Sequence, residues 1–450
     1  MSKKSSLLGL LAAIVVLATT SLSAQAFQPM VQRQPIFPGN GFHTAANRLG
    51  SESLTTSSKS YSYDIDLMTG RKPCVIWSHE ATGAQQQIRF ACWNGTKWAG
   101  LANPNGFDQI SSSPKAKLYP FLAIDAYDTP HVIWHEYANV TVPYGHTPPT
   151  EIKYANWNGS SWSGYSGQGP DTISLPGKYA NVTSRPSDIT INNATNRPGV
   201  VWADKDSVYY RAWNGSQWSG IFANADYVTY APGEHHSPQL AYDYNGKPQV
   251  AWQHTPYLNS PVNDIYFSHL GPSSWKGKNG QGPDVVSSGT GSTTNHEPEL
   301  VVIGGWNVPA IAWRSTNYQN KPSILFRRWD PQSQTWKGFG SSVDKVNGNK
   351  GAGALSMDVS VSMTVGIAWT APTGNADSKV WFKQWTGGTT WKGMTGNAAQ
   401  LVSRNVSNSM DPKLVMDDFG LPQVTWTHFI PTAAMSEVYF THWKNWSQGQ

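Results

Sequence analysis

The hydrophobic positions of this chain fall into a repeat. An apolar triplet ending in Trp occurs seven times: Val75-Ile76-Trp77, Val132-Ile133-Trp134, Val200-Val201-Trp202, Val250-Ala251-Trp252, Ile311-Ala312-Trp313, Ile367-Ala368-Trp369 and Val424-Thr425-Trp426. Successive copies lie 57, 68, 50, 61, 56 and 57 residues apart, a period that marks stacked supersecondary units. An alternating run and a short turn precede each triplet, best seen in Pro238-Gln239-Leu240-Ala241-Tyr242-Asp243 before Asn245-Gly246-Lys247-Pro248. A second β-rich run follows most copies, as in Ile152-Lys153-Tyr154 and Val208-Tyr209-Tyr210, and after it come a tight turn and a further Trp. The turns Asn94-Gly95, Asn158-Gly159 and Asn214-Gly215 predict two-residue hairpins with positive φ.

Each unit therefore reads as four antiparallel strands. No unit can bury its apolar face alone, so seven of them predict an all-β fold, a seven-bladed β-propeller of four-stranded antiparallel blades. The last unit has three strands through His442 and only eight residues beyond them. Residues 27–57 precede the first complete strand and are expected to supply its missing edge strand, leaving 58–450 as the propeller.

Composition agrees with a turn-rich β protein. Only 14% of the 450 residues are charged while 12% are aromatic, with 22 Trp, 41 Gly and 30 Pro, which excludes long helices and charged disordered tails. Residues 1–26 have Lys3 and Lys4, an apolar run, then Ala24-Gln25-Ala26, the parts of a secretory signal with cleavage before Phe27. Without those two lysines, 31 basic residues face 28 acidic ones, so nothing supports nucleic-acid binding, which needs clustered cations. No later stretch has the ~20 apolar residues of a membrane helix. The reading is of a soluble, exported (secreted or periplasmic) monomer needing no cofactor. Its two cysteines then sit where a disulfide persists, and pairing Trp77 with Arg89 puts Cys74 opposite Cys92.

The turn residues Gly95 with Trp98, Gly159 with Trp162 and Gly215 with Trp218 resemble the Asp-box (BNR) propellers of the sialidase-like kind, whose turn reads Ser-x-Asp-x-Gly-x-x-Trp. The Ser and Asp positions are Ala91 and Trp93 in the first unit, so the resemblance implies architecture over about 390 residues and not sialidase chemistry. That family needs three arginines around a carboxylate, and only Arg185 and Arg314 fall on the expected face.

Alternate connections of a meander emerge on opposite faces, so all the long loops share one face, where function concentrates. Titratable residues gather there: His79, Glu136, Asp204, His254 and His428 two positions after the triplet Trp, and His135 and Arg314 one position after. Arg185, His235, His236, His296, Glu297 and Asp411 begin first strands on the same face. A metal site is not expected, because equivalent positions in blades ~10 Å apart do not converge to Zn–N distances of ~2 Å. Polar capping of strand ends accounts for any one of these residues taken singly. A glycan cleft accounts for the cluster, with His79, His135, Glu136, Asp204, Arg185, Tyr257 and His428 as ligand contacts. The triplet Trp are read as blade packing.

One constellation is sharper: His236 with His254, and His296 with Arg314, each pair 18 residues apart. The stretch 234–243, continuing through Gln253-His254-Thr255-Pro256, resembles the corresponding blade of the propeller-fold ulvan lyases. That resemblance implies β-elimination at a uronate, with Arg314 neutralising the carboxylate and His254 or His236 as base. The family's Tyr position is His296 here, which leaves Tyr257 as a substitute proton donor. Three functions follow from the sequence, in order: glycan binding, polysaccharide lyase, and a non-catalytic interaction scaffold.

Overall fold

The computed structural model describes residues 41–43, 52–55, 59–80, 86–137, 150–176, 180, 187–204, 206–229, 232–257, 260–290, 294–316, 322–374, 377–404, 406–430 and 435–444. These residues form a seven-bladed β-propeller, as the repeat predicts. The innermost strands are Lys59–Met68, Lys117–Ile124, Ser187–Asn192, Glu234–Tyr242, Thr294–Ile303, Leu355–Val359 and Ser409–Met416. Each touches the innermost strands of both neighbouring blades, and the first touches the last, which closes the ring. All seven triplet Trp lie in second strands and are at most 1% exposed. They pack between blades: Trp202 with Ile133 and Tyr154 of the second blade, Trp252 with Val201 and Tyr210 of the third.

The fourth strand differs from the expectation. In blades one to five it is broken into two short pieces that both pair with the third strand, such as Trp162–Ser163 and Asp171–Thr172 against Thr150–Trp157. Between the pieces the chain loops out and is held by the first residue of the second piece, which is always an aspartate. Asp171 accepts the backbone N–H groups of Tyr165 (2.9 Å) and Ser166 (3.2 Å), and the indole N–H of Trp218 in the next blade (3.0 Å). The pattern repeats as Asp108 with Trp162, Asp226 with Trp275, Asp284 with Trp336 and Asp344 with Trp391. A buried carboxylate thus ties each of blades one to five to the next. The Asn-Gly turns are also corrected: Trp93 pairs with Trp98, and only Gly95 of the intervening residues has positive φ (98°). The Asn94 side chain completes that turn by accepting the N–H groups of Thr96 and Lys97.

The seventh blade has three strands from the C-terminal end, and its outer edge is filled by Gly41–His43 and Glu52–Ser53, both antiparallel to Met435–Lys444. Cys74 lies opposite Cys92 between the second and third strands of the first blade, and the two are bonded, in agreement with the register argument. Among the described residues no helix is long and apolar enough to cross a membrane.

The axial channel is acidic and polar. A cavity of about 230 Å³ is lined by one layer containing Asp64, Asp188, Glu299 and Lys413 and by a second containing Asp66 and Asp358. These carboxylates tie inner strands together: Asp66 accepts from Ile124 N–H, Asp188 from Leu240 N–H and Asp358 from Met416 N–H. Burial raises all three to about 7.

Candidate functional site

Innermost strands begin, and second strands end, on the same face, so cross-strand register decides which titratable groups meet there. In the fifth blade His296 lies opposite Arg314. In the fourth, His236 lies opposite Gln253 and His254 opposite His235. The equal 18-residue spacing misleads, because the fifth blade's first hairpin spends one more residue than the fourth's between equivalent pairs. A one-residue slip moves a side chain to the other side of the sheet. His236 and His254 therefore do not share a side.

His254 is 5% exposed, with its ring 5.0 Å from His235 and edge-on to Tyr266 at 4.6 Å, on the Trp252 side that packs against the third blade. Its Nδ1 has no hydrogen-bond partner among the described residues. His254 therefore lies beneath the surface, on the other side of the sheet from His236. Burial holds its pKa below the ordinary histidine range.

The other three residues form one electrostatic neighbourhood. Burial, then the Arg314 guanidinium, lowers His296, with Glu297 opposing and His236 adding to the effect. Arg314 pairs with Glu297 at 3.5 Å, and His236 lies 3.7 Å from Glu234. His296 Nδ1 is 3.4 Å from Asn263 Nδ2, in the fourth blade's second-to-third connection, and Asn263 is anchored by Thr255 and Asn295. Burial lowers His236 as well, so both imidazoles are neutral near pH 7. The site thus holds one guanidinium, two neutral imidazoles, an amide and two carboxylates.

A local device presents these groups. The innermost strands of blades two, four, five and seven carry a bulge at their start, at Tyr119, Ser237, Glu297 and Asp411, each left-handed (φ 45–52°) and each followed by proline. Left-handed backbone at a non-glycine residue is costly, and bulges re-aim side chains near functional sites. The repeated X-Pro was the sequence signal for Glu297, which the constellation had omitted. Burial raises the Tyr119 hydroxyl of the second blade, and Tyr137 and then Asp411 of the seventh blade add to the rise.

The remaining expected ligand contacts scatter. Arg185 lies outside the described residues. His135 is 0% exposed, its Nδ1 2.8 Å from Thr150 Oγ1 and its Nε2 2.6 Å from Ser187 Oγ, so it is sealed between the second and third blades and is removed from the surface. Glu136 is buried beside Lys115. Asp204 accepts from Asp206 N–H and Ser207 N–H and so caps its own turn. His79 is lowered by burial and Arg89, and His428 Nδ1 meets Ser407 O, its ring edge-on to Tyr439. Tyr257 is 62% exposed on the loop after His254.

Burial depresses His135 to about 3. The unfolded chain takes up a proton below ~6.5 and the folded one does not, so stability is full above that pH and falls as pH drops toward 3. At pH 4 the loss is about 3 kcal/mol. The channel aspartates act with the opposite sign, favouring the fold at pH 4 over pH 7. His135→Gln is therefore expected to raise the urea midpoint at pH 4.5 relative to that at pH 7, compared with the parent. An unchanged difference would show that His135 titrates normally.

No protein-family model matches the sequence, and no curated protein matches it. Among solved structures, a protein of unknown function from Dyadobacter fermentans is 10% identical, covering 88% of this chain and 99% of that one with a TM-score of 0.47. An α-L-arabinofuranosidase from Fusarium graminearum is 10% identical over 89% of this chain and 98% of its own (TM-score 0.46), and a Trypanosoma rangeli sialidase is 10% identical over 90% and 59% (TM-score 0.45). These are likenesses of backbone course, and the chemistry of the site rests on this chain's own residues.

Proposed function

We propose that the chain is an exported glycan-binding propeller that engages its ligand on the long-loop face, around His236, His296 and Arg314. The observation that carries this reading is the mixed polar cluster itself, in which Arg314 pairs with Glu297 and the neutral His236 lies 3.7 Å from Glu234, beside the neutral His296. Such a set alternates hydrogen-bond donors and acceptors, as sugar hydroxyls require, without the excess positive charge a polyanion requires. A neutral glycan fits better than a uronate, whose carboxylate would have to displace Glu297 from Arg314. The lyase reading retains support from the neutral histidines, which are competent bases near pH 7.

The test is a glycan array followed by titration of the best ligand. Arg314→Ala and His296→Ala are each expected to weaken binding roughly tenfold, the effect of removing a hydrogen bond to a charged or buried partner. Ultraviolet absorbance during incubation with uronate polysaccharides reads the lyase alternative, which requires an unsaturated product lost in His236→Ala. Neither binding nor product would leave the scaffold reading.

A further inference from the structure

We infer a second saccharide site on the opposite face, in the second blade, between its first hairpin turn and its Asn158-Gly159 turn. A cavity of about 500 Å³ opens there, lined by Tyr127, Asp128, Trp157, Tyr165, Asn156 and His131, a size and lining suited to one or two sugar rings. The second blade is hollow at this point. Its neighbour is not: three residues before the triplet, the third blade has Arg197, whose Nη1 donates to Asn214 O at 2.5 Å. Arg197 lies so close over the turn that a Cβ on Gly215 would sit 2.7 Å from its Nη2. The second blade has Thr129 at the same place, too short to cross.

The walls are rigid and aromatic. Tyr165 stacks on Trp213 of the third blade (4.3 Å, 15°) and on Tyr154 (5.3 Å), which fixes its ring. Beneath it His131, 2% exposed, is held between the Tyr154 hydroxyl at 2.7 Å and Asp125 at 3.5 Å. Tyr127 is 82% exposed, yet its backbone is fixed, because Asp125 Oδ1 accepts the N–H groups of both Tyr127 and Thr129 and the Asn196 side chain ties Asp125 to the third blade. Asp128 Oδ1 accepts Thr69 N–H at 2.7 Å, which sets its carboxylate at the rim. A pyranose has an apolar C–H face for the aromatic rings and hydroxyls for a carboxylate and an amide. Because these groups are already in position, little ordering cost attends binding.

The experiment is saturation-transfer NMR of the full chain with millimolar methyl glucoside, methyl galactoside, methyl mannoside, methyl fucoside, N-acetylglucosamine and glucosamine, whose amine separates neutral-sugar from amino-sugar recognition. At least one is expected to bind, Tyr127→Ala to weaken it roughly tenfold, and Thr129→Arg, which rebuilds the closure of the third blade, to abolish it. Tyr127→Ala removes an exposed side chain and serves if Thr129→Arg fails to fold. Binding by none of the six, or binding unchanged in Tyr127→Ala, overturns the inference. Loss in Arg314→Ala instead would assign the sugar to the long-loop face and overturn it equally.

Discussion

Asp171→Ala is expected to lower the unfolding free energy by roughly 3–5 kcal/mol, far more than a surface substitution. The carboxylate is 9% exposed and receives Tyr165 N–H, Ser166 N–H and Trp218 Nε1–H. Truncation leaves three donors with no acceptor, and each buried unsatisfied group costs about 1–3 kcal/mol. Trp218 belongs to the third blade, so the loss also loosens an inter-blade contact. A companion substitution separates this account from simple cavity formation. A Cβ added at Gly164 would lie 2.3 Å from Asp171 Oδ1 and 2.5 Å from the Asp171 backbone N, so Gly164→Ala should be severe in the parent and only partly relieved in the Asp171→Ala background, where the backbone clash remains. Additive effects in urea unfolding would mean that the glycine is required for another reason.

That motif, Trp-x-Gly followed by Asp six to eight residues later, was present in the sequence five times and carried most of what the blade pattern left unread. The Trp triplets sufficed for blade number and inter-blade packing, because large apolar residues at a fixed place in every unit can only face the next unit. The cysteine pairing was legible for a similar reason, since one strand register determines both Trp77 against Arg89 and Cys74 against Cys92. The site was less legible. Whether Gln253 or His254 shares a side with His236 depends on a single residue in a hairpin, and spacing alone cannot count residues absorbed by a turn and a bulge. His135 shows the complementary difficulty: a histidine at a strand end reads as a surface group until its partners, Thr150 and Ser187, close over it from two blades. The sixth blade is instructive as an exception. Gln400 occupies the aspartate position there, opposite Phe382, and the seventh blade has no fourth-strand Trp to be received. In blades one to five the aspartate is found where an indole follows in the next blade.

The seventh blade therefore needs another means of holding its outer edge, and this leads to the second large effect. Deleting residues 1–57 is expected to destabilise the propeller by on the order of 5 kcal/mol or more and to cause association. The deletion removes the pairing of Gly41–His43 with residues 442–444 and of Glu52–Ser53 with residues 439–440. It also removes the Leu54 N–H bond to Val438 O, the Thr55 hydroxyl that accepts Val438 N–H, and the bond from the Thr441 hydroxyl to His43 O. Leu54, 7% exposed, packs with Val438, Phe440 and Tyr63, where the seventh blade meets the first. The truncated chain would present the ten residues of Met435–Lys444 as an open edge at the seam of the ring. It would also uncover His442, which burial depresses to about 3 and which would then titrate near its ordinary value. Deleting only 1–26 should leave the melting temperature unchanged, because both paired segments remain. A peptide of residues 39–57 added in trans should restore much of what the longer deletion removes, with a dependence on peptide concentration that reports its binding. A truncated protein that stays monomeric and melts with the parent would show that the ring closes without these strands.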